Sequence, residues 1–218
     1  MCNIEPFNLI LFEGGVMPNP GISHKKVVVF FGLVRAGKTH AARLATLALG
    51  AVYLSTDIIR EQLINDGVIP SQERYTSERM KQVYDELFLR ARENLENGES
   101  VVLDATFTKQ ESRDRVIKLA EETGVKLFVF LVKCDEATIE ERIRRGVVHQ
   151  EVTGSVFPPV RYDGDFSEAG IEVHKLVKEV FSPISWKHTI IDGTALPSQI
   201  YIELSSVLTF SEPLFLRD

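Results

Sequence analysis

Three features are scarce in this sequence, and each scarcity excludes a class of protein. The 218 residues contain only two cysteines, Cys2 and Cys134, so no disulfide framework can form and we expect a reducing compartment. The longest strongly apolar run, 27–34, has eight residues, whereas a membrane span needs about 20. No Lys or Arg precedes Lys25, so the basic start of a secretory signal peptide is missing. We therefore expect a soluble cytoplasmic protein that does not contact a membrane.

Positive charge is also in deficit. Lys and Arg number 25 against 31 for Asp and Glu, which gives a net charge of −6. Proteins that bind nucleic acid non-specifically usually present a basic face, so this balance counts against that class, although a local basic channel is compatible with it. With 44% hydrophobic and 26% charged residues, the composition is that of an ordinary globular protein.

From residue 25 onward, apolar strands alternate with amphipathic helices. The run 27–31 is continuously apolar, which is typical of a strand buried on both faces. The stretch 73–97 repeats its apolar residues at helical spacing and ends before Gly98, which predicts a long helix. This alternation predicts an α/β fold with a five-stranded parallel sheet and helices on both faces. The predicted strands are 25–32, 51–55, 100–103, 125–132 and 187–191.

The ends of two helices carry local signals. Gly50 follows the helix predicted at 38–49 and is a typical C-cap. Thr108 and Glu111 have the spacing of a capping box, which predicts that the following helix starts next to Thr108.

Breaker residues divide the rest of the chain. Clusters of glycine and proline near the start predict an N-terminal arm at 1–24, followed by one domain at 25–209 and a tail at 210–218. Within the domain, 146–164 has few regular signals and contains two adjacent prolines. We therefore assign a lid to about 140–165.

The strongest motif follows the first strand and opens a helix. It reads Gly32-Leu33-Val34-Arg35-Ala36-Gly37-Lys38-Thr39, which fits the phosphate-binding P-loop. The two glycines permit backbone angles that turn amide N–H groups inward, and the helix adds its positive N-terminal end. Lys38 would reach the β- and γ-phosphates, and Thr39 would present its hydroxyl to Mg²⁺. We therefore predict ATP and Mg²⁺ as cofactors, with His40 completing the nucleotide-binding segment.

A second motif follows the second strand. Asp57 and Arg60 lie three residues apart, so they share one helical face at the rim where an open parallel sheet binds ligands. A carboxylate that takes a hydroxyl proton, beside an Arg that holds an anionic group, suits the acceptor site of a phosphoryl transfer. The alternative interpretation is an N-cap Asp with a surface Arg.

Together these motifs resemble the small P-loop kinases of the AAA-33/zeta-toxin type. That group includes polynucleotide kinase domains, chloramphenicol phosphotransferase and gluconate kinase, and the resemblance covers roughly residues 25–205. It implies a nucleoside-kinase-like P-loop NTPase fold with a lid, in which Asp57 activates the acceptor hydroxyl and Arg60 orients the acceptor. The matching segments are 32–39, 57–60, 101–106 and 142–145.

The resemblance also extends to residues after the third strand. Asp104 ends that strand as in a Walker B segment, so it would help Thr39 to hold Mg²⁺ or would line the acceptor pocket. Thr106 and Arg113 lie just beyond it and are candidate acceptor contacts. The alternatives are a strand-end Asp that caps a turn and a solvated helix charge.

Candidate contacts for the nucleotide lie further along the chain. Arg142, with Arg145 or Arg144, would clamp the γ-phosphoryl group, whereas a solvated basic helix end is the alternative. Gly193 and Thr194 follow the last strand and resemble the adenine-side loop of adenylate kinases, whereas a plain strand-to-helix turn is the alternative.

These observations predict ATP-dependent phosphorylation of a hydroxyl on a small, unidentified acceptor. A true adenylate kinase does not fit, because the segment 105–108 reads Ala-Thr-Phe-Thr where adenylate kinases carry Gly-Phe-Pro-Arg. Two alternatives stay open. One is a polynucleotide 5′-hydroxyl kinase, which the acidic balance disfavours, and the other is a non-catalytic ATP-binding regulatory module.

Overall fold

Five parallel strands form the centre of the structure, a computed structural model that describes residues 25–153, 171–182, 184, 186–210 and 213. The strands are β1 (Lys26–Phe31), β2 (Val52–Ser55), β3 (Val101–Asp104), β4 (Lys126–Lys133) and β5 (Thr189–Asp192). They are hydrogen-bonded in the order β2-β3-β1-β4-β5, and every pair is parallel.

Helices fill the connections between the strands. Within the described residues they are α1 (Lys38–Leu49), α2 (Thr56–Asn65), α3 (Ser77–Glu96), α4 (Gln110–Thr123), α5 (Glu136–Thr153), α6 (Ile171–Val180) and α7 (Pro197–Phe210), with a short 3-10 turn at Ser71–Glu73. None of these helices is long and apolar enough to cross a membrane.

Each face of the sheet buries its own apolar cluster. Alternate residues of β1 point to opposite faces: Val27 and Val29 pack with residues of α3 and α4, whereas Val28 and Phe30 pack with residues of α1 and α7. All six residues of β1 are buried, which explains the continuous apolar run in the sequence. The predicted α/β class, with five parallel strands covered on both faces, is confirmed.

The register of the central strands sets the position of the site. Asp104, the last residue of β3, pairs with Phe30 of β1 on one side and with Ser55 of β2 on the other. The carboxyl ends of these three strands therefore meet at one rim of the sheet, where ligands bind in open α/β folds. The loop 32–37 begins at the same rim.

Three predicted boundaries are wrong, and the first is the start of the long helix, which is predicted at residue 73 and lies at Ser77. Helix α4 starts at Gln110 with Lys109 as its N-cap residue and no side-chain cap, so Thr108 and Glu111 do not form a capping box. Helix α5 continues to Thr153, so 140–153 of the predicted lid is helical, because no proline interrupts it and a single interior glycine costs only about 1 kcal/mol. The rest of the lid, at 154–165, lies outside the described residues.

The predicted arm and tail are barely covered by the structure. The arm at 1–24 lies outside the described residues, and of the tail only Phe210, the last residue of α7, and Pro213 are described. The division of the chain into these segments stays a prediction.

Arg113 joins α4 to the segment that follows α6. It is 1% exposed, and its Nη1 and Nη2 both donate to the carbonyl oxygen of Ser182 at 3.2 Å. Its guanidinium also lies 5.8 Å from the centre of the Phe181 ring. This enclosure argues against the predicted contact with the acceptor and assigns Arg113 a structural role.

Replacing Arg113 with Met is expected to destabilise the fold by about 1–3 kcal/mol, because the Ser182 carbonyl loses a charged donor inside the protein. Denaturant unfolding measures this change. The control is Lys118→Met on the same helix, whose side chain is 72% exposed, with an expected change within about 0.5 kcal/mol. Equal stability of the two variants would contradict the structural role.

Candidate active site

The loop between β1 and α1 has the geometry of an anion cradle. Gly32 and Gly37 have φ angles of +143° and +104°, and Arg35 between them has φ +63°. Gly37 is the N-cap of α1, and no side chain caps that helix. A helix N-terminus without a side-chain cap favours an anion, so the start of α1 is the candidate phosphate position.

Close backbone contacts explain why this loop needs glycine. A Cβ on Gly32 would lie 2.4 Å from the carbonyl oxygen of Val132 in β4. Gly193, after β5, packs so tightly on the loop that a Cβ there would lie 1.8 Å from the carbonyl oxygen of Ala36. The sequence motif predicts Gly193 beside the adenine base, and the structure shows that its backbone abuts the P-loop itself.

Lys38, Thr39 and Asp104 converge at the mouth of the loop. The Lys38 ammonium donates to the carbonyl oxygen of Leu33 at 2.8 Å, and the Thr39 hydroxyl donates to Asp104 Oδ2 at 2.8 Å. Asp104 is 3% exposed, and this burial raises its pKa although Lys38, Tyr53 and Thr39 each act to lower it. The P-loop helix is thus tied directly to the end of β3.

Tyr53 is a site residue that the sequence analysis missed. Its hydroxyl donates to Asp104 Oδ2 at 2.6 Å, so the same carboxylate oxygen accepts from Thr39 and Tyr53. Burial and the negative charge of Asp104 raise the pKa of Tyr53, which keeps its hydroxyl protonated as a donor. Ser55 pairs with Asp104, and Tyr53 lies two residues before it on the same face of β2. The signal that identifies Tyr53 is therefore the strand register, which the sequence alone does not provide.

The donor set around Asp104 suits Mg²⁺. The Thr39 hydroxyl and the Asp104 carboxylate are oxygen ligands, which Mg²⁺ prefers. In the part of the chain that the structure describes, no group of three or more His, Cys, Asp or Glu residues could hold a metal ion. A Mg²⁺ ion here would therefore rely mainly on phosphate oxygens and water, as it usually does in nucleotide sites.

Asp57 and Arg60 lie at the start of α2, beside this group. Ser55 is the N-cap of α2, and its hydroxyl accepts from the Asp57 amide at 3.3 Å. Arg60 Nη1 donates to Asp57 Oδ1 at 2.5 Å. Arg60 is 4% exposed, whereas the Asp57 side chain is 40% exposed. The alternative of an N-cap Asp with a surface Arg is therefore wrong on both counts.

The two charges hold each other in place. Burial disfavours the charged form of Arg60, but the Asp57 carboxylate outweighs it, and the pKa of Arg60 is raised. Ser55, which caps the helix that carries Asp57, pairs with Asp104, so both carboxylates lie at the same rim of the sheet. A half-exposed carboxylate is thus held at this rim by a buried arginine.

Thr106 follows the end of β3 and is tied to α3. It hydrogen-bonds the hydroxyl of Tyr84, which also accepts from the Phe107 amide at 3.2 Å. Burial raises the pKa of Tyr84. The contact of Thr106 with the acceptor stays a prediction.

Of the three arginines at the end of the matched motif, only Arg142 reaches the P-loop. Its Nη1 donates to the carbonyl oxygen of Arg35 at 2.9 Å, and its Nη2 donates to that of Gly193 at 2.8 Å. Arg144 and Arg145 both pair with Glu141, and their side chains are 71% and 77% exposed. The predicted clamp of Arg142 with Arg145 or Arg144 is therefore not assembled in this structure.

The remaining predicted nucleotide contacts lie in the loop after β5 and in the first turn of α1. Thr194 donates its amide and hydroxyl to Asp192 Oδ1 at 2.8 and 2.6 Å, and these bonds lower the pKa of Asp192. His40 is half-buried in the first turn of α1. The Gly193 amide donates to the carbonyl oxygen of Lys133 at 2.7 Å, which anchors the loop after β5 to the end of β4.

Solved structures share this fold. The APS kinase CysC of Mycobacterium tuberculosis, in complex with AMPPNP and APS, is 17% identical with a TM-score of 0.60, over 85% of this chain and 98% of that one. Kti12 of Chaetomium thermophilum, in complex with ADP-AlF3, is 15% identical with a TM-score of 0.60, over 84% of this chain and 98% of that one. At these identities the likeness shows the fold.

Sequence comparison identifies the family. The 6-phosphofructo-2-kinase/fructose-2,6-bisphosphatase of Gallus gallus is 30% identical over 131 residues, which are 55% of this chain. The match takes in 28% of that relative, so the chain spans less than a third of its length. Residues 27–157 match the AAA_33 family, an AAA domain, and this span includes the P-loop, Asp57, Asp104 and Arg142. The chain is therefore a member of the AAA_33 family and has the fold of the small P-loop kinases.

Proposed function

We propose that the protein transfers the γ-phosphoryl group of ATP to a hydroxyl of a small acceptor molecule. The observation that carries this proposal is the position of Asp57, a half-exposed carboxylate that Arg60 holds beside the P-loop group of Thr39 and Asp104. A nucleotide-binding site alone needs no such carboxylate at its rim. Family membership and the kinase relatives support the same class of reaction.

The nucleotide would bind with its phosphates on the amides of 32–39. Lys38, which donates to Leu33 in the present structure, would turn its ammonium toward the β- and γ-phosphates. Thr39 and Asp104 would hold Mg²⁺, which neutralises the charge that develops on the transferred group. The Thr39 hydroxyl can keep its bond to Asp104 while its lone pairs face outward.

Asp57 would act as the general base. The acceptor oxygen forms a bond to the γ-phosphorus, the bond from that phosphorus to the bridging oxygen of ADP breaks, and the hydroxyl proton passes to Asp57. Arg60 fixes the position of Asp57, because its buried guanidinium donates a hydrogen bond to that carboxylate. Positioning of this kind supplies much of the rate in phosphoryl transfer.

Replacing Asp57 with Asn is expected to lower kcat by about 10²–10⁴-fold while ATP binding persists, because the amide cannot accept the proton. ADP release with a panel of hydroxyl compounds measures transfer, and titration with a fluorescent ATP analogue measures binding. Asp66→Asn, at the exposed C-terminal end of α2, is the matched control and should retain activity. Full activity of the Asp57 variant, or no transfer by the wild type to any compound, would refute the proposal.

Replacing Arg142 with Met is expected to weaken ATP binding on the order of tenfold, because the two charged hydrogen bonds that brace the P-loop and the loop after β5 are lost. Arg145→Met is the control on the same helix, since Arg145 contacts only exposed Glu141 among the bonds described. Isothermal titration calorimetry with ATP measures the dissociation constant of each variant. Similar dissociation constants for the two variants would contradict the role of Arg142.

Replacing Tyr53 with Phe is expected to raise the Mg²⁺ concentration needed for half-maximal activity by about tenfold or more, as is common when a partner of a metal ligand is removed. The change deletes only the hydroxyl that donates to Asp104. A Mg²⁺ titration of ADP release measures it, with Tyr201→Phe on α7 as the control. An unchanged Mg²⁺ requirement would show that Thr39 alone positions Asp104.

A further inference from the structure

The segment 56–80 carries more acid than base, and since its Tyr75 and Met80 contact Arg60, we treat it as one wall of the acceptor site. The segment 56–80, which forms α2, the 3-10 turn and the start of α3, contains five acidic residues and three arginines, a balance of −2. An anionic acceptor would need a surplus of positive charge at this wall, because unlike charges must face each other for binding. The acidic residues are Asp57, Glu61, Asp66, Glu73 and Glu78, and the basic residues are Arg60, Arg74 and Arg79.

Arg60 is not available to an anion. Its Nη1 is bonded to Asp57 at 2.5 Å, its Nη2 lies 3.5 Å from Met80 Sδ, and its guanidinium stacks 4.8 Å from the centre of the Tyr75 ring. With 4% of its surface exposed, it could bind an acceptor carboxylate or phosphate only by releasing Asp57. The proposed base would then lose the contact that fixes it.

The other two arginines are also engaged by acids. Arg74 Nη2 bonds Glu61, and the guanidinium lies 5.9 Å from the Tyr75 ring centre. Arg79 binds Glu73 Oε2 through Nε at 3.1 Å and Nη2 at 2.9 Å. Each pair is only partly exposed, so an incoming anion would have to displace a protein carboxylate that is already in place.

The described residues that follow β3 add little positive charge to the site. Thr106 is neutral and bonded to Tyr84, and Arg113 is buried on the Ser182 carbonyl. Lys109, exposed at the start of α4, is the one described cation between β3 and Arg113. A single exposed lysine does not offset the acidic wall.

We propose that the acceptor hydroxyl belongs to an uncharged compound, and that molecules bearing a phosphate, sulfate or carboxylate group are rejected at this wall. The inference rests on the proposed phosphoryl transfer and names the chemical class of its acceptor. Every described arginine at the wall serves to position a protein carboxylate. Recognition of the acceptor would therefore depend on neutral hydrogen bonds and packing.

Matched pairs of compounds test the proposal with the full-length protein. Each pair joins a neutral compound to its anionic derivative: glucose with glucose 6-phosphate, a sugar alcohol with its sugar acid, and a nucleoside with its 5′-monophosphate. We expect kcat/KM to be at least about tenfold higher for the neutral member of any pair that is phosphorylated, because like charges repel at the wall. A preference for the anionic member would overturn the proposal.

A single substitution should reverse part of this preference. Glu73→Gln removes the negative charge that Arg79 binds through Nε and Nη2, while Arg79 keeps its contacts with Gln82 and Glu78. We expect the ratio of kcat/KM for the anionic member to kcat/KM for the neutral member to rise severalfold. Glu93→Gln, exposed further along α3, is the matched control and should leave this ratio unchanged.

Two further outcomes separate the possible failures. If the anionic member is preferred and Lys109→Ala abolishes that preference, Lys109 is the anion ligand and this inference fails while the phosphoryl transfer stands. If the wild type phosphorylates no compound of either class, the proposed function fails and this inference fails with it.

Discussion

The hydrogen bonding of one buried carboxylate organises the site. Asp104 lies at the end of β3, where burial would strongly disfavour its charge if it had no donors. Its Oδ2 accepts one bond from Thr39 of α1 and one from Tyr53 of β2, so three separate elements are fixed at a single atom. These bonds fix the positions of α1, β2 and the candidate Mg²⁺ ligand Asp104 relative to one another.

Backbone packing supplies the second constraint. Gly32 lies against Val132 and Gly193 lies against Ala36 at distances that no side chain could tolerate. These contacts hold the P-loop against the end of β4 and the loop after β5. Arg142 of α5 joins the same two loops by donating to the carbonyl oxygens of Arg35 and Gly193. Contacts within the protein therefore define the shape of the loop, and such preorganisation reduces the ordering cost of binding.

The sequence predicts those features that depend on local chemistry. Helix α1 has the predicted bounds because Gly50 adopts the left-handed conformation at its C-cap, and the continuous apolar run of β1 reflects burial on both faces. Strand register and the partners of charged groups are non-local, so the sequence does not reveal Tyr53, nor that Arg144 and Arg145 pair with Glu141 instead of joining Arg142. Helix α5 runs into the predicted lid because the segment after residue 145 lacks a strong stop signal.

The two sides of the candidate site are built from different kinds of interaction. The P-loop side is held by backbone contacts and by guanidinium-to-carbonyl bonds, whereas the acceptor wall is held by partly exposed ion pairs such as Arg79 with Glu73. Dissolved salt weakens exposed ion pairs, and the screening length shortens from about 10 Å at 0.1 M to about 3 Å at 1 M ionic strength, whereas close backbone packing does not depend on charge. Rising ionic strength would therefore loosen the acceptor wall while the nucleotide cradle keeps its shape.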